Sequence, residues 1–185
     1  AHGVDAADAG GAPGRAGAEL RRSIGALTAD TADRVEAGNF GADLAACFAA
    51  ATAAGATFDG MDRVRQAAVS FVGDAPLIRR VVQTSVRFAL IETCRILAAT
   101  TFASRQEADA ASARVNAAFE PAETFAADQR NNVMFRALVA LHASTTRDLS
   151  QRSKRLPRLV PFAFPRRMPA LTLANRLYGD GSRSD

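Results

Sequence analysis

Tryptophan is absent from the 185-residue sequence, and tyrosine occurs once. Packed β-sheets are enriched in aromatic and β-branched residues, so this shortage argues against a core built on a sheet. Alanine, the best helix former, supplies 42 residues. The sequence therefore predicts an all-α fold of closely packed helices.

Cysteine and histidine are also scarce, with two residues of each. Cys47 and Cys94 match no metal or disulfide spacing and are predicted to be small buried side chains. His2 and His142 have no Cys, Asp or Glu partner at a spacing typical of metal ligands. We therefore predict no metal site and no cofactor.

The common catalytic motifs are missing as well. The sequence has no G-x-x-x-x-G-K-[ST], no H-E-x-x-H and no G-x-S-x-G. Glu92 projects into an apolar helix face, where an ion pair with Arg95 or with an arginine of another helix is the expected arrangement. His142 is predicted to be a hydrogen-bonded core histidine. These patterns predict a protein that is not an enzyme and has no catalytic residues.

Long apolar runs are also absent. The longest charge-free stretch, residues 44–58, has 15 residues of mostly alanine, which is shorter than the roughly 18–20 apolar residues that a bilayer span needs. No membrane span is predicted. Residues 1–18 are rich in glycine and alanine and carry no signal-peptide pattern, so they are predicted to be a flexible linker from a preceding domain.

Residues 19–150 show helical periodicity interrupted by helix start and stop signals. The predicted helix starts are Glu19, Phe40, Asp59 as a cap, Pro76, Ser104 as the first residue of an S-x-x-E capping box, and Pro121. The helix from Ser104 is expected to end near Phe119, and the last one near Ser150. Six helices with short connections predict an antiparallel bundle.

The helix that starts at Pro76 is expected to run to about Phe102 and to be the most buried. Its predicted apolar arc contains Ile78, Val81, Val82, Val86, Phe88, Ala89 and Ile96. Its opposite face carries Arg79, Arg80, Gln83, Thr84, Arg87 and Arg95.

The last part of the chain has a different composition. Residues 150–185 contain eight basic and two acidic residues, a net charge of +6, whereas the rest of the chain carries −2. Proline recurs at every fourth position from Pro157 to Pro169, which forbids a regular helix and favours an extended segment. Residues 151–185 are therefore predicted to be a basic, proline-rich arm that ends in a short helix.

Apolar residues between prolines cannot bury themselves against an extended segment, so we expect the arm to bind another protein surface. The predicted protein-interaction residues are Leu156, Leu159, Val160, Phe162, Phe164, Arg166, Arg167, Leu173 and Tyr178. The candidate phosphate contacts are Arg152, Lys154, Arg155 and Arg158.

Two segments of the arm carry a family resemblance: Leu156-Pro-Arg-Leu159, and the run from Met168 through Pro-Ala-Leu-Thr-Leu-Ala-Asn-Arg-Leu-Tyr-Gly to Asp180. With the final Ser-Arg-Ser-Asp, they resemble the C-terminal region of the Mu-like phage DNA circularisation (circulation) protein family. Asn175 departs from the aromatic residue usual there. The family's N-terminal domain has no counterpart, and its pattern normally runs on past Asp185. The sequence is therefore expected to be a C-terminal portion of a longer protein.

The resemblance implies a virion protein of contractile phage tails or tail-like particles, located near the baseplate hub and the end of the tube and made in the host cytoplasm. It implies copies of itself in a ring, with neighbouring tail tube, hub or tape measure proteins as partners. The alternative is a DNA-binding protein that acts on injected phage DNA. A third hypothesis is a ligand-sensing helical domain with Glu92 and His142 in a pocket.

Overall fold

The structure is a computed structural model that describes residues 17–19, 21–22, 24–25, 38–71, 76–160 and 167–180. All regular secondary structure in these ranges is α-helical, which confirms the all-α prediction. The bounded helices are α1 (Phe40–Ala53), α2 (Phe58–Ser70), α3 (Pro76–Ala99), α4 (Arg105–Asp128), α5 (Asn132–Ser153) and α6 (Ala170–Tyr178). The backbone is also helical at residues 17–19, 21–22 and 24–25, so residues 17 and 18, ahead of the predicted start at Glu19, are helical. Residues 1–16 of the predicted linker lie outside the described residues.

Two apolar clusters form the core, and α3 contributes to both of them. The larger cluster joins α3, α4 and α5 and contains Val86, Leu90, Cys94, Leu97, Ala111, Val115, Ala118, Phe119, Ala122, Ala126, Leu138 and Leu149. The smaller one joins α1, α2 and α3 through Leu44, Phe48, Met61 and Ala89. Alanine supplies many of these positions, which lets the helices approach closely. Cys47 and Cys94 are both buried, as predicted.

The predicted apolar arc of α3 is buried along only part of its length. Val86 and Ala89 are 4% and 0% exposed. Ile78, Val81 and Val82 are only half-buried. The burial expected for the first turns of α3 is therefore wrong, because the described apolar clusters begin at Val86 and extend towards the C-terminal end of the helix. Helices α3 and α4 each bury seven residues, and α3 has fewer exposed residues than α4.

The prediction that Pro121 starts a helix is wrong. Pro121 lies inside α4, and the next helix, α5, begins at Asn132. A proline within a helix cannot donate to the carbonyl four residues earlier, here that of Ala117. Pro121 and Ala117 are both exposed, so this loss occurs on the solvent side, while the buried Phe119 and Ala122 hold the same turn against the core.

Two helix starts show how side chains determine these boundaries. At α2, the Thr57 hydroxyl accepts a hydrogen bond from the Gly60 N–H at 3.1 Å, so Thr57 rather than Asp59 is the cap. At α4, the Ser104 hydroxyl accepts from the Glu107 N–H at 3.3 Å. The Glu107 carboxylate in turn accepts from the Ala103 N–H at 2.8 Å. The predicted start at Ser104 is confirmed, with the return bond shifted by one residue from the usual capping box.

Helices α4 and α5 form an antiparallel hairpin through a short turn at residues 129–131. Arg130 in this turn has a left-handed φ of 53°. Far from the turn, the Ser153 hydroxyl donates to the Asp109 carboxylate at 2.7 Å. This contact brings the end of α5 next to the start of α4. Helix α5 runs to Ser153, so residues 151–153 are helical and do not belong to the extended arm that the sequence predicted from residue 151.

Helix α6 agrees with the short helix predicted at the end of the arm. Pro169 precedes its first residue, and Gly179 follows it with a left-handed φ of 68°. Glycine adopts this φ without the steric cost that a side chain would add, so it ends the helix. Within the described residues, no helix has both the length and the apolar character needed to cross a bilayer.

Candidate functional site

The first residues of the arm are held against the start of α4 by hydrogen bonds to their backbone. The Arg105 N–H donates to the Pro157 carbonyl at 3.0 Å. The Gln106 side chain donates to the Leu159 carbonyl at 2.6 Å and accepts from the Leu159 N–H at 3.0 Å. One amide side chain therefore pairs with both polar groups of Leu159, as a neighbouring strand would.

The side chains of the same segment are not covered in this way. Leu159 and Val160 are 60% and 59% exposed, although Leu159 is fixed through its backbone. Leu156 is half-buried. The arm therefore begins as an ordered segment that directs two adjacent apolar side chains into solvent.

Helix α6 repeats this pattern further along the chain. Leu171 and Leu177 are 63% and 37% exposed, whereas Ala174 is 3% exposed and Leu173 is half-buried. One face of α6 is therefore packed, and an apolar part of its surface remains open.

Arg152 stabilises the end of α3 and was not predicted to do so. Its two terminal nitrogens donate to the carbonyls of Leu97, Ala98 and Thr100 at 3.1–3.2 Å. Its guanidinium also lies 4.9 Å from the centre of the Phe102 ring. The Leu97 carbonyl also accepts from the Thr100 N–H at 3.2 Å. The last carbonyls of a helix lack the partner four residues on that the inner ones have, so Arg152 acts as a C-terminal cap. A phosphate at this position would have to displace those bonds.

The other basic residues of the arm have a different environment. Lys154, Arg155, Arg158 and Arg167 are exposed. Within the described parts of the chain, none of these four pairs with a carboxylate. Their charges are therefore open to an external partner.

Several predicted interaction residues cannot be placed. Phe162, Phe164 and Arg166 lie outside the described residues, and so does the side chain of Tyr178. The described portion of the predicted interaction surface consists of Leu156, Leu159, Val160, Arg167 and Leu173.

Glu92 forms the ion pair that the sequence predicted. The Glu92 carboxylate accepts from Arg95 at 2.6 Å, and the residue is 3% exposed. Its second oxygen, Oε2, is buried without a hydrogen-bond partner among the described residues. Both residues lie in α3, about one helical turn apart.

His142 is hydrogen-bonded, as predicted, but it also has a carboxylate partner that the spacing did not reveal. Its Nδ1 lies 2.9 Å from Glu123 and its Nε2 lies 2.8 Å from Asn116, both on α4. Its ring stacks on Phe119 at a centroid distance of 4.7 Å. The contacts of His142 and Glu92 share no residue, so the structure does not bring the two into one pocket. No group of three or more potential metal ligands occurs among the described residues.

Gln106 was missed by the sequence analysis. It lies inside the capping box at the start of α4, where its role is not distinguishable from that of any exposed helix residue. Its partner is 53 residues away, and no periodicity connects positions at that separation.

Comparison of the sequence with the models of known protein families and with curated proteins gave no match. The resemblance of residues 156–185 to the circularisation protein family therefore remains a prediction from the motifs in the arm.

Proposed function

We propose that this chain is a non-enzymatic structural subunit of a contractile phage tail or tail-like particle, located in the hub or tube-end region of the baseplate. It assembles through its C-terminal arm with copies of itself in a ring and with neighbouring tail proteins. In this proposal, residues 19–150 form an antiparallel bundle that serves as a compact spacer, and the arm extends from it in the virion.

The observation that carries this proposal is the exposure of Leu159 and Val160 on a segment whose backbone is bonded. A solvated tail has no reason to order two adjacent apolar side chains towards water. An ordered apolar segment loses little further conformational entropy when it binds, which favours a specific protein contact. Leu171 on α6 is another exposed apolar side chain of the arm.

The test uses the full chain with Leu159→Ser and Val160→Ser together. The matched control is Leu77→Ser with Val69→Ser, since these two residues are 51% and 57% exposed outside the arm. Light scattering and negative-stain electron microscopy would follow ring formation alone and with the tail tube and hub proteins. We expect the arm variant to remain folded and unassembled, while the control assembles.

Assembly of the arm variant at the wild-type level would refute the proposal. Substitution is preferable to truncation at Ser150, because a truncation there also removes the cap that Arg152 provides to α3. Loss of assembly after such a truncation could reflect damage to the helices.

The alternative proposal is a DNA-binding protein that acts on injected DNA through its arm. The exposure of Lys154, Arg155 and Arg158 supports it. Duplex affinity would then fall with salt by about 0.9 log units per log unit of salt for each phosphate contacted. Fluorescence anisotropy at several salt concentrations would measure this slope for the full chain and for Arg155→Gln with Arg158→Gln, with Arg63→Gln and Arg147→Gln as the control. If the chain shows no duplex binding at low salt, this alternative is rejected.

A further inference from the structure

A groove of about 640 Å³ lies between the first half of α3 and the turn that joins α4 to α5. It is lined by Pro76, Arg79, Arg80, Gln83, Thr84, Arg87, Phe125, Gln129 and Asn131. None of the described residues of the arm lines it. Its volume lies within the range of roughly 300–1,000 Å³ that is typical of small-molecule sites.

The groove is positively charged because of how the arginines are spaced. Arg80, Gln83, Thr84 and Arg87 follow Pro76 by four, seven, eight and eleven residues, so they share one face of α3. Residues 76–91 contain three arginines and no carboxylate, and no described Asp or Glu lines the groove. The start of α3 adds the positive end of a helix dipole at the same place.

Within the described residues, the guanidinium groups of Arg80 and Arg87 form no hydrogen bond or ion pair, although the Arg80 carbonyl accepts from the Thr84 hydroxyl at 2.7 Å. Arg87 is half-buried. Burial lowers the pKa of Arg87 below its ordinary value, because desolvation disfavours the charged form. An anion in the groove would compensate this desolvation.

The remaining lining groups indicate the kind of anion. The Asn131 side-chain oxygen accepts from the Met134 N–H at 3.1 Å, and its amide N–H groups remain as donors. Gln83 and Gln129 add further amide donors. The Phe125 ring, half-buried, forms an apolar wall. Donors and arginines suit phosphate oxygens, and an aromatic wall suits a planar base.

We propose that this groove binds a nucleotide, with its phosphates on Arg80 and Arg87 and its base against Phe125. The shared chemistry is a phosphate ester next to a nucleobase, and either a free nucleotide or one end of a single strand supplies it. The described residues of the arm lie outside this site, and the site does not depend on the function proposed above.

The experiment titrates the full chain at low salt with ATP, with a ten-nucleotide oligothymidylate and with pyrophosphate. Isothermal titration calorimetry would be used for ATP and pyrophosphate, and fluorescence anisotropy for the oligonucleotide. The relative affinities of ATP and the oligonucleotide distinguish a free nucleotide from a strand. We expect ATP or the oligonucleotide to bind more tightly than pyrophosphate, because only they contact Phe125.

The test variant is Arg80→Gln with Arg87→Gln, and Arg136→Gln with Arg147→Gln removes equal charge from exposed positions on α5. The groove variant should lose about tenfold in affinity for each arginine, since hydrogen bonds to charged groups are among the stronger ones. For the oligonucleotide, the salt dependence should flatten by about 0.7 log units for each lost phosphate contact. Phe125→Ala should weaken ATP binding and leave pyrophosphate binding unchanged.

Three results would overturn the proposal: no binding of any of the three ligands, equal losses in the groove variant and its control, or pyrophosphate binding as tightly as ATP. Circular dichroism and the unfolding temperature confirm that each variant is folded.

Discussion

The end of α3 and the start of the arm lie close together, and they differ in how their polar and apolar groups are satisfied. At the end of α3, Arg152 donates to the last carbonyls, and Leu97 and Leu149 are each 1% exposed. At the start of the arm, Gln106 bonds the backbone of Leu159, but the Leu159 side chain is 60% exposed. Backbone hydrogen bonding and apolar burial are therefore separate requirements. A single polar side chain can satisfy a backbone group, whereas an apolar side chain is buried only when a larger surface packs against it.

The largest expected effect is a difference in stability between two variants that each shorten a leucine to alanine, one in the core and one in the arm. Leu149 and Leu159 are ten residues apart in the sequence. Leu149→Ala should lower the free energy of unfolding by about 2–5 kcal/mol because it leaves a cavity in the core. Leu159→Ala should change it by less than about 0.5 kcal/mol. Urea unfolding of both variants measures the difference, and equal losses would show that Leu159 is buried by this chain itself.

The second comparison uses two arginines that are three residues apart. Arg152→Gln should lower the free energy of unfolding by about 1–3 kcal/mol, because carbonyls at the end of α3 lose their donors. Arg155→Gln, at an exposed position, should have little effect. Thermal unfolding followed by circular dichroism would detect this. An unchanged melting temperature for Arg152→Gln would show that Arg152 does not stabilise the end of α3.

A smaller and more local effect is expected at Gln106. Gln106→Ala removes both bonds to Leu159 and should increase local opening of the arm by about fivefold, which corresponds to about 1 kcal/mol. Trypsin cleavage at Arg155 and Arg158 would report this opening. The control is Gln151→Ala, at an exposed position on α5. Identical cleavage rates for the two variants would show that Gln106 does not hold the arm.

The smallest expected effect is a pH dependence of the stability that comes from Cys94 in the larger apolar cluster. Burial raises the pKa of the Cys94 thiol, and a hydrogen bond with Thr145 acts in the opposite direction. The unfolded thiol therefore ionises at a lower pH than the folded one, so stability is lost as the pH rises above the unfolded pKa. Cys94→Ala should flatten the fall in the urea midpoint between pH 8 and pH 10. A slope identical to that of the wild type would contradict this assignment.

Local signals in the sequence predicted several parts of the fold correctly. The start of α4 at Ser104 and the end of α6 at Gly179 follow from bonds and dihedrals within four residues. Pro121 was misleading because its cost depends on whether it faces solvent or the core. The ion pair of Glu92 followed from its one-turn spacing to Arg95, whereas the contact of His142 with Glu123 depends on how two helices pack.

The candidate surfaces could be predicted only in part. The exposed pair in the arm was expected, because prolines prevent Leu159 and Val160 from folding into a helix. The docking of the same segment by Gln106 was not expected. The arginine face of α3 was visible in the sequence. The groove also needs Phe125 of α4 and Asn131 of the turn between α4 and α5, and the sequence did not place these next to α3.

Alanine content and helix periodicity determine by themselves that this protein is helical, because these properties depend on neighbouring residues. The tertiary structure alone decides which helix ends are capped, which apolar residues remain in solvent and which arginines meet around a groove. Each of these depends on contacts between positions far apart in the chain, and a sequence specifies such contacts only through the packing of all its helices together.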